Sequence, residues 1–204
     1  MTVKLILASE SPRRKELLTQ LGLSFSIRPS NADETLSETV PEIVVKELAY
    51  RKASSVANQV EHALIIGADT LVVCDQEMLG KPQDEADAMK MLLRLQGRAH
   101  QVVSGIALVE VINGKIRRSE IEAKKTDVWM LPLSERQIRG YIQTGEPLDK
   151  AGAYGIQGIG AAFIDKIEGC YFNVVGLSLS LLVQMMDRMG YQLNDFMDEK
   201  SSST

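Results

Sequence analysis

Hydrophobic and polar positions switch between two periods along this chain, and the switches mark its elements. Val3 to Ala8 is an apolar run of strand length, interrupted only by Lys4. From Pro12 to Leu21 the pattern becomes helical, with Leu17, Leu18 and Leu21 on one face. Ser11 suits the N-cap, Pro12 the first helical position and Gly22 the stop. Leu23 to Arg28 can form a strand, and Pro29 to Ser37 is a polar, acidic loop. Thr39-Val40-Pro41-Glu42 has capping-box spacing and opens a helix to about Asn58. His62 to Cys74 is apolar and β-rich, with a break expected at Gly67-Ala68-Asp69-Thr70.

Asp75-Gln76 predicts a tight turn, after which Met78 and Leu79 lead to Gly80-Lys81-Pro82. Asp84 to Leu95 reads as a helix stopped by Gly97. Gln101–Ile112 and Lys115–Leu131 flank Asn113-Gly114, a hairpin signal. Ser134 caps a helix ending near Thr144-Gly145, and a glycine-rich loop runs from Asp149 to Gly160. A strand is expected over Ala161–Ile167 and a last helix over Ser178–Met189. The polar, serine-rich end from Asp195 reads as disordered. Strands alternating with helices, joined by a long antiparallel hairpin, predict an α/β protein with a mixed sheet.

The composition allows an ordinary globular core: 204 residues, 45% hydrophobic and 25% charged, fit one domain or one domain with two lobes. A net charge of −4 argues against general binding to nucleic acid or membrane surfaces, so an anionic ligand must meet a local cluster of cations. No apolar run has the length of a membrane span. Cys74 and Cys170 form no CxxC pair and read as free thiols in a reducing, cytoplasmic setting.

Against this background several residues stand out. Arg13 and Arg14 lie in the first turn of a helix, where the macrodipole is already positive and an acidic residue would be more stabilising. Two cations there suit an anion site, phosphate above all, although surface arginines near helix starts are common. Asp69 interrupts a run otherwise fit for a sheet core, where an unpaired carboxylate is costly. It is either a turn aspartate at a strand break or a cleft carboxylate that binds metal or activates water. Lys52 falls near the centre of a helical face through Val45, Leu48, Ala49 and Val56. It either snorkels to solvent or supplies a point charge to phosphate. Lys81 lies in a constrained loop and Glu34 in an acidic one, both open to a plain solvated reading. The loop around Gln157 is glycine-rich but is neither a Walker A nor a dinucleotide fingerprint. His62, His100 and both cysteines read as structural. Cations beside carboxylates able to hold a hard metal are the set that phosphoryl chemistry needs.

The ordered series Ser9-Glu10-Ser11-Pro12-Arg13-Arg14-Lys15-Glu16-Leu17-Leu18, Glu34, Lys52-Ala53, Gly67-Ala68-Asp69-Thr70, Gly80-Lys81-Pro82, Leu95-Gln96-Gly97-Arg98-Ala99-His100, Asp149 to Gly158 and Val175-Gly176-Leu177 resembles the Maf family of nucleoside triphosphate pyrophosphatases. The run Ala151-Gly152-Ala153-Tyr154-Gly155-Ile156-Gln157-Gly158 is similar to the subfamily acting on dTTP and UTP, rather than the one acting on 7-methyl-GTP. The resemblance implies hydrolysis between the α and β phosphates to a monophosphate and pyrophosphate, a house-cleaning role, with Mg²⁺ or else Mn²⁺ or Co²⁺. It implies Asp69 as proton acceptor, and Arg13, Thr70 and Gln157 as specificity positions. Ser9, Lys52 and Lys81 would be further substrate-binding residues, and Glu34 and Asp69 would hold metal. Arg13 is the arginine expected on substrate, with Arg14 a support for the helix.

The implied fold is an elongated, twisted mixed sheet flanked by helices, of the Maf and ITP pyrophosphatase-like type, with two lobes, a central cleft and often a homodimer. Residues 1–190 would be that domain and residues 191–204 a disordered tail. Ser178 departs from the family's usual proline, which bears only on the start of the last helix. The alternative is a nucleotide-binding regulator of cell division and septum formation with incidental turnover. Asp69, Lys52 and Lys81 together favour the enzyme, because binding alone needs no base.

Overall fold

Strand β1 (Lys4–Leu7) opens a computed structural model that describes residues 3–197. It is followed by helix α1 (Pro12–Gln20), strand β2 (Ser26–Ile27), helix α2 (Pro41–Ala57) and strand β3 (His62–Cys74). A turn through Asp75 and Gln76, both at positive φ, leads into β4 (Glu77–Leu79). Helix α3 (Glu85–Leu95) precedes the long hairpin of β5 (Ala99–Ile112) and β6 (Lys115–Met130). Asn113 and Gly114 both adopt positive φ there, as a type I′ turn requires. Helix α4 (Glu135–Ile142), strand β7 (Ile164–Glu168), helix α5 (Tyr171–Val175) and helix α6 (Leu179–Arg188) follow. The strands form one mixed sheet in the order β2-β1-β3-β5-β6-β7, with β4 paired to β3. The α/β class with a mixed sheet flanked by helices is therefore as expected. No helix among the described residues is long and apolar enough to cross a membrane.

The chain divides into two compact units. The first comprises residues up to Asp69, Ser104–Lys124, and the chain from Gly176 onward. In it β1 runs parallel to both β2 and β3, with Leu7 opposite Ile66. Helix α2 packs on this part of the sheet through small side chains, its Ala49 and Ala53 meeting Ile6, Ile65 and Ala107 in a buried cluster. Two glycines let the helix backbone sit directly on the strands. A Cβ on Gly67 would overlap the Ala49 carbonyl oxygen and stand 2.8 Å from the Ala53 nitrogen. A Cβ on Gly105 would overlap the Val45 carbonyl.

The second unit comprises Thr70–Val103 and Lys125–Val175. Its core joins Leu92 and Leu95 of α3 to Ile138 and Tyr141 of α4, over Val72 and Val128 of the sheet. Ser134 caps α4 in a full capping box with Gln137, and Asp84 caps α3 by accepting from the Asp87 N–H.

Several local expectations give way to tertiary context. Strand β3 runs unbroken through Gly67 and Asp69, because Gly67 serves the approach of α2 rather than a turn. Thr39 does not cap α2. Pro41 fixes the helix start, Val40 is the extended residue before it, and the Glu38 carboxylate takes the N–H groups of Thr39 and Val40. Only Ser26–Ile27 of the Leu23–Arg28 segment is strand, while Leu23 makes an isolated bridge to Met197. The strand expected from Ala161 starts at Ile164, after a 3₁₀ segment over Gly158–Phe163. Helix α5 had no signal in the sequence pattern. Ser178 caps α6 with its own side chain, accepting from the Leu181 N–H, so its departure from proline does not disturb that start. Disorder from 191 does not hold for 191–197: Phe196 is buried, and its carbonyl accepts the Ser24 N–H at 2.6 Å. The rest of that expected tail, 198–204, lies outside the described residues.

Gly67→Ala is expected to destabilise the protein by about 3 kcal/mol or more, because helix backbone cannot move aside as a side chain would. Gly22→Ala, at φ +70 with nothing within 4 Å of the added Cβ, should cost only about 1–2 kcal/mol. Urea midpoints of the two variants check the contrast.

Candidate active site

Side chains two apart on a strand share a face, so Asp69 points the same way as Gly67, toward helix α2. Lys52 precedes the Ala53 that rests on Gly67, and the close approach carries its ammonium to the carboxylate. Lys52 Nζ donates to Asp69 Oδ1 at 2.6 Å and pairs with Glu34 Oε1 at 2.9 Å. Asp69 is 8% exposed, and the Lys52 side chain 14% against 61% for that of Glu34. One ammonium is thus shared by a carboxylate inside the sheet and another on the acidic loop. Of the readings open for these residues, the snorkelling lysine and the turn aspartate do not hold.

Burial of Asp69 outweighs the pull of Lys52 and Arg14, with Glu34 adding repulsion, and its carboxyl lies above the usual aspartate range. Arg14 donates from Nη1 to Ser9 Oγ at 3.1 Å and from Nε to the Gly176 carbonyl at 2.9 Å. Burial pushes the Arg14 guanidinium down from its usual pKa; Asp69 opposes this, Arg13 adds to it and Glu34 opposes it more weakly. Ser9 is buried, and its hydroxyl also accepts the Ser11 N–H at 3.3 Å. Ser11 holds the N-cap position of α1 without a side-chain cap bond, and no acidic residue stands in the first turn. The positive end of that helix is therefore left to its two arginines.

Glu34 is held by its neighbours. Arg51 Nη1 donates to the carbonyls of Asp33 at 3.2 Å and Thr35 at 3.1 Å, on either side of Glu34. Its Nε donates to Glu47 at 2.8 Å, one helical turn earlier. The Asp33 carboxylate accepts the Thr35 N–H at 2.9 Å, closing the loop on itself.

Thr70, Lys81 and Gln157 belong to the second unit. Their segments meet there: the Gly152 N–H donates to the Gly80 carbonyl at 2.9 Å, and Gly152 lies against Val72 so closely that a Cβ would stand 2.8 Å from it. Lys81 is exposed and Gln157 half-buried, and neither side chain has a hydrogen-bond partner among the described residues. His100 is structural. Its Nε2 lies 2.6 Å from the Tyr154 hydroxyl, and burial lowers its pKa to about 4, so the ring is neutral at physiological pH.

The structure thus gathers Ser9, Glu34, Lys52 and Asp69 in one place and puts Arg14 among them. Arg14 does more than support its helix. A signal for this was available, since Arg14 lies three and four residues before the buried Leu17 and Leu18, on the helix's inward face. Arg51 had no comparable signal, because its partners are backbone carbonyls on a distant loop. Among the described residues no cluster of three or more His, Cys, Asp or Glu is placed to hold a metal.

The sequence pattern of the Maf-like protein family matches residues 4–189. A Geobacillus protein named dTTP/UTP pyrophosphatase is 50% identical over 189 residues, 92% of this chain and 99% of that protein. A Thermoanaerobacter protein of the same name is 49% identical over 187 residues, 91% and 96% of the two chains. One from Syntrophomonas wolfei is 45% identical over 185 residues, 90% and 96%. Among solved structures, the Staphylococcus aureus Ham1 protein is similar at a TM-score of 0.41 and 14% identity, over 79% of each chain.

Replacing Lys52 by Met removes the chief group that favours ionised Asp69. The Asp69 carboxyl should then titrate at still higher pH, by at least about one unit, in a carbon-detected NMR titration.

Proposed function

The chain belongs to the Maf-like family, and from that membership we infer a nucleoside triphosphate pyrophosphatase that hydrolyses dTTP and UTP between the α and β phosphates. The observation that carries the chemistry is the buried Asp69 carboxylate, ionisable at raised pKa and held by Lys52. A carboxyl shifted up from the ordinary range is a better proton acceptor at neutral pH than a surface aspartate. In the reaction a water forms a new bond to phosphorus, the bridging P–O bond breaks, and pyrophosphate leaves. Asp69 takes the water's proton. Lys52 offsets charge on the phosphates, as do Arg13, Arg14 and Lys81. The N-terminus of α1 adds backbone N–H groups, and the Ser9 hydroxyl a further polar contact.

Glu34 and Asp69 fit a hard divalent cation: both are oxygen donors, and both already share one positive charge. Magnesium needs no closed protein cage, since one or two carboxylates and the substrate's phosphates ordinarily suffice. Mn²⁺ or Co²⁺ would meet the same donors. When bound, the cation supplies charge neutralisation on the triphosphate.

Gln157 is the proposed reader of the base, and Thr70 is the proposed second specificity residue. A primary amide offers one donor and one acceptor, the pair that uracil and thymine present in common. That the Gln157 amide has no hydrogen-bond partner among the described residues supports this reading. Hydrolysis of these triphosphates would be a house-cleaning activity on the nucleotide pool. The free thiols Cys74 and Cys170 support a cytoplasmic setting.

The direct test is product analysis with a panel of canonical and modified triphosphates, with and without Mg²⁺. Pyrophosphate released fastest from dTTP and UTP is expected, and orthophosphate in its place would overturn the reading. Asp69→Asn should lower turnover by about 10²–10⁴-fold. It should not lower stability at neutral pH. Because the folded pKa of Asp69 lies above the unfolded value, its ionisation costs stability as pH rises through the folded pKa, and Asn removes that cost. Thermal melts beside the rates separate the two effects. Gln157→Ala should flatten the preference among nucleotides in competition assays.

A further inference from the structure

The loop that carries Gln157 is pinned at both ends by one hydroxyl and one carboxylate. On its leading side the Gly155 N–H donates to the Tyr141 hydroxyl at 3.3 Å. On its trailing side the N–H groups of Ile159 and Gly160 donate to Glu146, at 2.9 Å to Oε2 and 3.0 Å to Oε1. The Tyr141 hydroxyl donates to Glu146 Oε1 at 2.9 Å, closing the ring. Lys150 fixes the backbone beneath, donating to the Glu146 carbonyl at 2.5 Å.

The glycines of the loop are shaped by this clasp. A Cβ on Gly158, which adopts φ +69, would stand 2.7 Å from Glu146 Oε2. A Cβ on Gly160 would stand 2.5 Å from the Gly155 carbonyl oxygen and 2.6 Å from the Tyr141 hydroxyl. The two ends of a six-residue segment thus meet across the clasp, with Gln157 near its middle. Burial alone would raise the Glu146 carboxyl, yet the two N–H groups and the Tyr141 hydroxyl hold it below the usual glutamate range. Burial and Glu146 hold Tyr141 protonated, as its donor role requires.

We propose that Glu146, together with Tyr141, is a specificity-positioning residue that holds the 155–160 loop closed so that the Gln157 amide meets the pyrimidine edge from a fixed place. This rests on the reading of Gln157 as the group that contacts the base. Three glycines in six residues give the open loop a wide range of conformations, and an amide carried on it would reach many positions and accept many bases. With its ends tied, the loop is ordered before the nucleotide arrives, and only the side-chain torsions of Gln157 are left to settle. Glu146 cannot be replaced by its amide without loss. Glutamine would turn an N–H₂ toward a backbone N–H, donor against donor.

The test uses Glu146→Gln in the full chain, with kcat and KM for UTP, CTP and ATP and amide exchange over 155–160. The ratio of kcat/KM for UTP to that for the other two should fall by roughly tenfold, about the upper worth of one neutral hydrogen bond such as the amide makes to the base. The change should fall on the KM for UTP more than on its kcat, because the base is remote from the reacting phosphorus. Exchange of the Ile159 and Gly160 amides should quicken by roughly tenfold or more, with or without nucleotide. An unchanged ratio beside quickened exchange would make the clasp purely structural and overturn the proposal, as would unchanged exchange. Gln157→Ala in the parent chain separates the two levels. If it leaves the ratio unaltered, the reading of the base fails and the proposal with it. If it alters the ratio and Glu146→Gln does not, only the clasp fails. Should Glu146→Gln not fold, Tyr141→Phe removes the bond to the Gly155 N–H and the link to Glu146 and should shift the ratio the same way by a smaller factor; no shift there overturns the proposal equally.

Discussion

The contact of helix α2 with strand β3 at Gly67 sets the position of nearly everything chemical in the first unit. With a side chain at that glycine the helix would have to lift off the sheet, and the ammonium of Lys52 would leave the Asp69 carboxylate. Alanines at 49 and 53 continue the same close seat, and Gly105 repeats it on a neighbouring strand. The packing is therefore more than core filling. It brings a lysine to a carboxylate that would otherwise be an isolated charge inside a sheet.

That arrangement works against local stability at several points. A carboxylate is kept inside the sheet, two arginines stand at the positive end of a helix, and a desolvated guanidinium lies close to another cation. Each is unfavourable alone, and each is offset by a neighbour: Asp69 by Lys52, Lys52 by two carboxylates, Arg14 by Ser9 and a backbone carbonyl. Local rules broken together in one place are what a polyanion site requires, since its cations must be in position before the ligand neutralises them. The second unit solves a different problem. It orders a glycine-rich loop by hydrogen bonds to one side-chain pair, and a neutral, buried His100 beside Tyr154 stiffens the chain just before it.

Much of this was legible in the residues. The β5–β6 hairpin follows from Asn113-Gly114, the starts of α1 and α4 follow from Pro12 and the Ser134 cap, and Asp69 and Lys52 announce themselves as charges on apolar patterns. The misreadings share a cause. Gly67 signals a turn by composition, but its role is set by a helix that is distant in sequence. Thr39 has the spacing of a cap, yet Pro41 two residues later decides where the helix can begin. The end of the chain looks unstructured until Phe196 finds its place beside Leu23 and Ser24.

The sequence by itself determined the class of fold, the identity of the charged groups and the family, because periodicity, capping and ordered motifs are local properties of the chain. Only the tertiary structure decided which charges meet. A lone Asp or Lys on an apolar face carries two readings that differ by what lies opposite, and that is a matter of long-range packing. The same reason gives Arg51 and Glu146 their places. Each acts through backbone groups that have no sequence signature, and those groups come within reach only after the chain has folded.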